Sequence, residues 1–177
     1  VRPDRITILR KHLRGKGAAA IAASAAVEFG PVDLPGPTGE ANTLLLAPRG
    51  SVLCLGPDTE SVFAQAIQAL AAGNAVLAVA PGARAALSPL TGKGLPVEAL
   101  DGTVAPQDLR EFGVDVVALA AEGSALRAVR QALALREGPI VRLVTAMIDP
   151  VAYAHERAIC VDTTAAGGNA SLLAAAE

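Results

Sequence analysis

Apolar residues follow two rhythms along this chain. From residue 51 to residue 145, short unbroken apolar runs alternate with stretches where apolar residues recur every three or four positions. The runs at 51–55 (SVLCL), 75–80 (AVLAVA), 97–100 (VEAL), 115–120 (DVVALA) and 140–145 (IVRLVT) predict strands. Between them, the helical spacing predicts helices over 59–72, 106–112 and 124–136, and a short one over 83–87. In the first of these, Asp58 or Thr59 supplies the cap, and Val62, Phe63, Ala66, Ile67 and Leu70 form the apolar stripe. Gly73 ends it. In 124–136, Ser124 is the expected cap, with Leu126, Val129 and Leu133 inward and Arg127, Arg130 and Arg136 outward.

Strands without polar alternation predict a sheet covered on both faces. Repeated strand–helix units make that sheet parallel. Residues 4–14 and 17–28 read as two further helices, the second rich in alanine. Pro31, Pro35, Gly36, Pro37 and Gly39 then predict a linker without regular structure. At the far end, a helix over 149–157 leads into a strand over 158–164, a turn at 165–169 and a short arm, ASLL. The Gly-Gly-Asn turn permits positive φ, so this tail predicts a β-hairpin. The expected fold class is α/β: a Rossmann-like, mostly parallel sheet with helices on both faces, N-terminal helices and a C-terminal hairpin flap. The expected divisions are an N-terminal helical segment 1–30, a Pro/Gly-rich linker and lead-in strand 31–50, the sheet domain 51–148, and a helix with its flap 149–177.

Residues 61–83 carry no charge and are long enough to suggest a membrane span. Gln65, Gln68, the Gly73-Asn74 stop and Pro81-Gly82 instead predict a helix, a turn and a buried strand. No transmembrane segment is expected. At 52% apolar and 2% aromatic residues over 177 positions, one domain with an Ala, Val and Leu core is expected. The net charge of −2 gives no electrostatic pull toward nucleic acid or an anionic membrane. The cluster Arg2, Arg5, Arg10, Lys11, Arg14 and Lys16 reads as a solvated helix face. Cys54 and Cys160 sit in apolar runs without CxxC spacing, which fits a reducing, cytoplasmic setting and no metal. A start at Val1 without methionine suggests a piece of something longer.

Chemistry is sparse. A dinucleotide site on such a sheet calls for glycines between the first strand and its helix. That turn reads Leu55, Gly56, Pro57, Asp58, Thr59 and Glu60: one glycine, and two carboxylates where a pyrophosphate would be repelled. His12 lies among cations, and His155 lacks clustered partners, so neither makes a metal site. Cys54 and Cys160 read as structural residues, lacking the base or helix terminus a nucleophile needs. The acidic pairs Asp58/Glu60 and Glu111/Asp115 read as helix-start and loop residues. The residues therefore predict no catalytic, cofactor-binding or metal position in this stretch.

The run APRGSVLCLGPDTESVFAQAIQALAAGNAVLAVAP (47–81) resembles the opening βαβ unit of the NAD-binding domain of aldehyde dehydrogenases, and 115–143 resembles that family's next unit. Together with LPGPTGE (34–40) and the terminal TTAAGGNASLL, the chain is similar to the C-terminal aldehyde-dehydrogenase-like domain of the long forms of the proline utilization A family. That family couples an FAD proline dehydrogenase to an NAD-dependent glutamate-semialdehyde dehydrogenase. The resemblance mostly removes function here. The family's dehydrogenases carry a ribose-binding lysine before the proline that follows the second strand, and Ala80 stands there. Gly123-Ser124 match a glycine-serine motif in part, with Glu122 beside them, and the general-base glutamate is missing from 142–147.

The resemblance thus implies a noncatalytic relative, with FAD and NAD belonging to the longer polypeptide. It also implies that the tail is a flap packed over the dehydrogenase domain of the same polypeptide, closing a cavity through which the intermediate passes. Thr163, Thr164, Asn169 and Ser171 would meet backbone groups, Gly167 and Gly168 would permit close approach, and Leu172 and Leu173 would anchor. The competing readings are a small NAD(P)-binding domain or sensor resting on Gly123-Ser124, and a homo-oligomerisation module built on an apolar edge strand.

Overall fold

The computed structural model describes residues 4–162. In chain order the elements are α1 (Arg5–Leu13), α2 (Ala18–Ala25), β1 (Val32–Leu34), β2 (Glu40–Pro48), β3 (Ser51–Cys54), α3 (Thr59–Ala71), β4 (Ala75–Val79), α4 (Ala83–Leu87), β5 (Val97–Leu100), β6 (Val116–Ala118), α5 (Gly123–Ala134), β7 (Arg142–Val144) and β8 (Ala154–Asp162). Single 3₁₀ turns occupy Ser88–Leu90, Pro106–Arg110 and Pro150–Tyr153. The chain divides into two compact units: Val1–Glu28 with Pro48–His155, and Phe29–Ala47 with Glu156–Glu177.

The first unit is built on a five-stranded sheet in the order β5-β4-β3-β6-β7, with every neighbouring pair parallel. The expected α/β class with a parallel, helix-covered sheet is what forms. Strand residues alternate between two apolar faces. Leu53, Val79, Val117 and Leu119 pack with Leu109 and with Val129 of α5. Helix α3 lies against β3 and β4, flanked by α1, α2 and α4. Its alanines allow this crowding: Ala66, Ile67, Ala69 and Leu70 are fully buried. Asp58 starts α3 by accepting from the Ser61 amide at 2.8 Å. Gly73, at φ +101°, ends it while its amide donates to the Leu70 carbonyl at 3.0 Å. The uncharged run 61–83 is therefore a helix, a turn and a strand. No helix among the described residues is long and apolar enough to cross a membrane.

The second unit holds a three-stranded sheet in the order β1-β2-β8. β1 and β2 pair antiparallel, with Val32 opposite Leu44 and Leu34 opposite Asn42. The expected structureless linker is thus confined to residues 35–39. Proline excludes regular structure only where a ladder N–H is required, and the intervening Val32, Asp33 and Leu34 keep theirs. The expected C-terminal hairpin turn at 165–169 and the arm after it fall on residues that lie outside the described ones.

Three other expectations are corrected. The helix over 149–157 gives way to the turn Pro150–Tyr153 and then β8. His155, Glu156 and Arg157 provide no apolar stripe, whereas Ile159 and Val161 suit a strand. The helix over 106–112 is only the 3₁₀ turn Pro106–Arg110. Ser124 does not cap α5: Glu122 holds that position, without a side-chain hydrogen bond.

Candidate functional site at the carboxyl edge of the parallel sheet

In open parallel sheets ligands enter beyond the carboxyl ends of the strands. Here that edge is formed by the residues after β3, β4 and β6. Gly56 turns the chain out of β3 at φ +80°. A Cβ added to it would lie 2.8 Å from the Asp58 amide nitrogen and 3.1 Å from the Ala80 Cβ, so glycine is required. The space a phosphate would use is closed by protein groups. Buried Gln65 reaches back from α3: its Oε1 accepts from the Gly56 amide at 3.1 Å, and its Nε2 donates to the Gly56 carbonyl at 3.0 Å. That carbonyl also accepts from the Ala120 amide at 2.8 Å. At the start of α3, Asp58 already caps the helix and Glu60 follows in its first turn. Two backbone donors at this turn, the Gly56 and Ser61 amides, are engaged, and two carboxylates stand beside them. These residues do not fit a dinucleotide phosphate.

The second strand end is equally closed. Ala80 is fully buried. The Pro81 carbonyl accepts from the Thr59 hydroxyl at 3.0 Å, tying the β4 turn to α3. At the third, the amino end of α5 differs: Gly123 has φ +61°, and an added Cβ would meet nothing within 4 Å. After β7 the segment that lacks the general base is structural, since the Met147 carbonyl accepts from Gln68 Nε2 at 2.8 Å and the Asp149 amide donates to Gln68 Oε1 at 2.7 Å.

Cys54 is fully buried, and burial pushes its thiol well above the ordinary value, which leaves it unreactive. Tyr153, also buried, is pushed the same way, first by desolvation. Cys160 is exposed on β8. His12 lies on α1 and His155 opens β8. Among the described residues, no three of the types His, Cys, Asp and Glu gather in a group able to hold a metal. The flap residues Thr163, Thr164, Gly167, Gly168, Asn169, Ser171, Leu172 and Leu173 lie outside the described residues.

Several structural side chains escaped the sequence reading. Gln65, Gln68 and Asn74 appeared only as interruptions of an apolar run, yet each is a buried clamp. Asn74 accepts from the Gly50 amide at 2.9 Å and donates to the carbonyls of Ala69 at 3.0 Å and Tyr153 at 2.9 Å. Arg5, expected on a solvated face, donates to the carbonyls of Leu70 at 3.0 Å and Asn74 at 2.8 Å, at the end of α3. Arg136, expected outward, donates to the carbonyls of Leu109, Arg110 and Phe112 at 2.6, 3.2 and 2.6 Å. Amides and guanidiniums at helix stops were the available signal.

The sheet order, the parallel pairing and the helices on both faces define a Rossmann-like α/β fold. An NAD-dependent benzaldehyde dehydrogenase of Corynebacterium glutamicum shares it, with a TM-score of 0.53 at 17% identity over 80% of this chain and 37% of that one. A variant of Bradyrhizobium japonicum proline utilization A (PutA) matches with a TM-score of 0.60 at 26% identity, over 78% of this chain and 17% of that one. The bifunctional protein PutA of Rhizobium meliloti is 38% identical over 184 residues, covering 93% of this chain and 14% of that protein. The chain is a PutA-related region. It spans only 10% to 14% of the length of the curated PutA relatives it matches. No protein-family profile matches it.

Proposed function

We propose that this chain is a noncatalytic part of a larger, cytoplasmic bifunctional PutA polypeptide, and that it supports the glutamate-semialdehyde dehydrogenase of that polypeptide. Its terminal residues 163–177 would pack over that dehydrogenase and close the cavity through which the semialdehyde passes. FAD and NAD would serve the longer polypeptide's own active sites. One observation carries the reading: Gln65 and Asp58 accept from the Gly56 and Ser61 amides in the turn where a working dinucleotide site needs free backbone donors. The fold is retained and its cofactor position is used for packing. Deleting residues 163–177 from the full polypeptide tests the proposal. The expected result is slower semialdehyde oxidation and a lag in the coupled reaction, with proline oxidation intact. Unchanged coupled kinetics would overturn it.

A second reading, an NAD(P)-binding module, draws on the open amino end of α5. Glu122 leaves that helix end without a side-chain cap, and nothing crowds Gly123. Against it, Glu122 itself puts a carboxylate beside the position.

A further inference from the structure

The opposite, amino edge of the parallel sheet gathers positive charge. Arg49 precedes β3, Asp115 precedes β6 and Arg142 opens β7. The backbone aligns these starts: the Asp115 amide donates to the Ser51 carbonyl at 3.0 Å, and the Arg142 amide to the Asp115 carbonyl at 3.2 Å. Arg49, Asp115, Arg136 and His155 line one hollow there, together with Pro139 and Ile140. Among the described residues Asp115 is the hollow's one carboxylate, and it is already committed: its Oδ2 accepts from the Ser51 amide at 2.7 Å and the Ser51 hydroxyl at 2.9 Å. Arg49 is held in place because its Nε donates to the Ala152 carbonyl at 3.1 Å. Arg136 is pinned by its three carbonyl acceptors, and its Nε is buried without a partner.

Two guanidiniums of the lining, Arg49 and Arg136, thus meet one carboxylate, and Arg142 adds a further positive charge felt by Arg49. Burial, and then the charge of Arg142, make Arg49 less basic than usual, the behaviour of cations that lack a counter-ion. Fixed, underneutralised arginines around a concave surface form a receptor for planar or tetrahedral oxyanions.

We propose that this hollow binds an oxyanion, a carboxylate or phosphate group, held by Arg49 and supported by the charge of Arg142. The site lies on the sheet edge away from the closed dinucleotide position, and it does not depend on the role proposed for the tail. The test is a titration of the chain with inorganic phosphate and, separately, with acetate, followed by NMR at the amides of residues 113–115 and 139–142 and the His155 ring. A saturable shift is expected, with a Kd on the order of 1 mM. Arg142→Ala, which removes no side-chain hydrogen bond, should weaken phosphate several-fold, and Arg49→Ala should abolish the shift. Phosphate binding far tighter than acetate would support a free dianionic ligand. Equal affinities would support the carboxylate of a protein side chain. Absence of saturation at concentrations well above the millimolar range, or binding unaffected by Arg142→Ala, would overturn the proposal.

Discussion

Three buried amide side chains hold the first unit together where alanine packing leaves backbone groups stranded. Gln65 satisfies both polar atoms of Gly56, Gln68 bridges α3 to residues 147–149, and Asn74 joins three separate segments. A buried donor or acceptor left unpaired costs about 1–3 kcal/mol. Asn74→Ala strands the Gly50 amide and weakens the acceptors at Ala69 and Tyr153. It should therefore lower the free energy of unfolding by about 3 kcal/mol in urea denaturation, while exposed Ser88→Ala should change it little. Loss of less than about 1 kcal/mol in the asparagine variant would mean that these bonds contribute little. Asp58 makes a different kind of contribution. The Ser61 amide holds its carboxyl below the ordinary carboxylate value. A depressed folded-state pKa stabilises above the unfolded value of about 3.9 and loses that stabilisation as pH falls through the folded value. Asp58→Asn keeps a capping oxygen but cannot titrate. The stability gap between wild type and this variant should be present near neutrality and shrink below about pH 4. The residue is largely exposed, so the gap should stay within about 1 kcal/mol.

Helix α5 illustrates what an element owes to sequence and what it owes to tertiary contact. Its helical spacing was legible, and Val129 is buried as that spacing requires. Its start was misplaced, because Ser124 looks like a cap while the chain bends at Gly123, one residue earlier. Arg136, two residues past its end, reads from the spacing as outward because periodicity reports a direction, not a destination. Arg136 bends back to satisfy the carbonyls of Leu109, Arg110 and Phe112, at and just past the end of the turn Pro106–Arg110, where a helix end leaves carbonyls without a partner of its own. Arg136→Ala should destabilise by about 2 kcal/mol. Amide exchange should quicken over residues 109–112 while β3 stays protected; uniform exchange changes would show a global effect instead. The strands were easier to place, since β-branched and leucine runs bounded by Gly and Pro leave few alternatives. β5 coincides with its predicted span and β3 differs by one residue. The tail helix over 149–157 failed for the converse reason: local spacing carried no sign of β2, the strand with which β8 pairs.

At the scale of the molecule, the first turn at the carboxyl edge of the parallel sheet is occupied by the chain's own groups, paired to the Gly56 amide and carbonyl. The turn's makeup was legible in the sequence, in the lone Gly56 and the carboxylates Asp58 and Glu60. The group that pairs with Gly56, Gln65, was not, because a glutamine nearly two helical turns inside α3 gives no local sign that it folds back on the preceding loop. The two sheets form separate compact units. In the second, Val32, Leu34, Ile159 and Val161 remain exposed, between 41% and 51%. A three-stranded sheet with that much apolar surface is suited to burial against a larger partner, consistent with a chain matching a minor part of its relatives. The most direct measurement is calorimetric titration of the chain with NAD⁺. The expected result is no saturable heat at millimolar cofactor, because the Gly56 amide and carbonyl are already paired. Saturable binding in the micromolar range would contradict it.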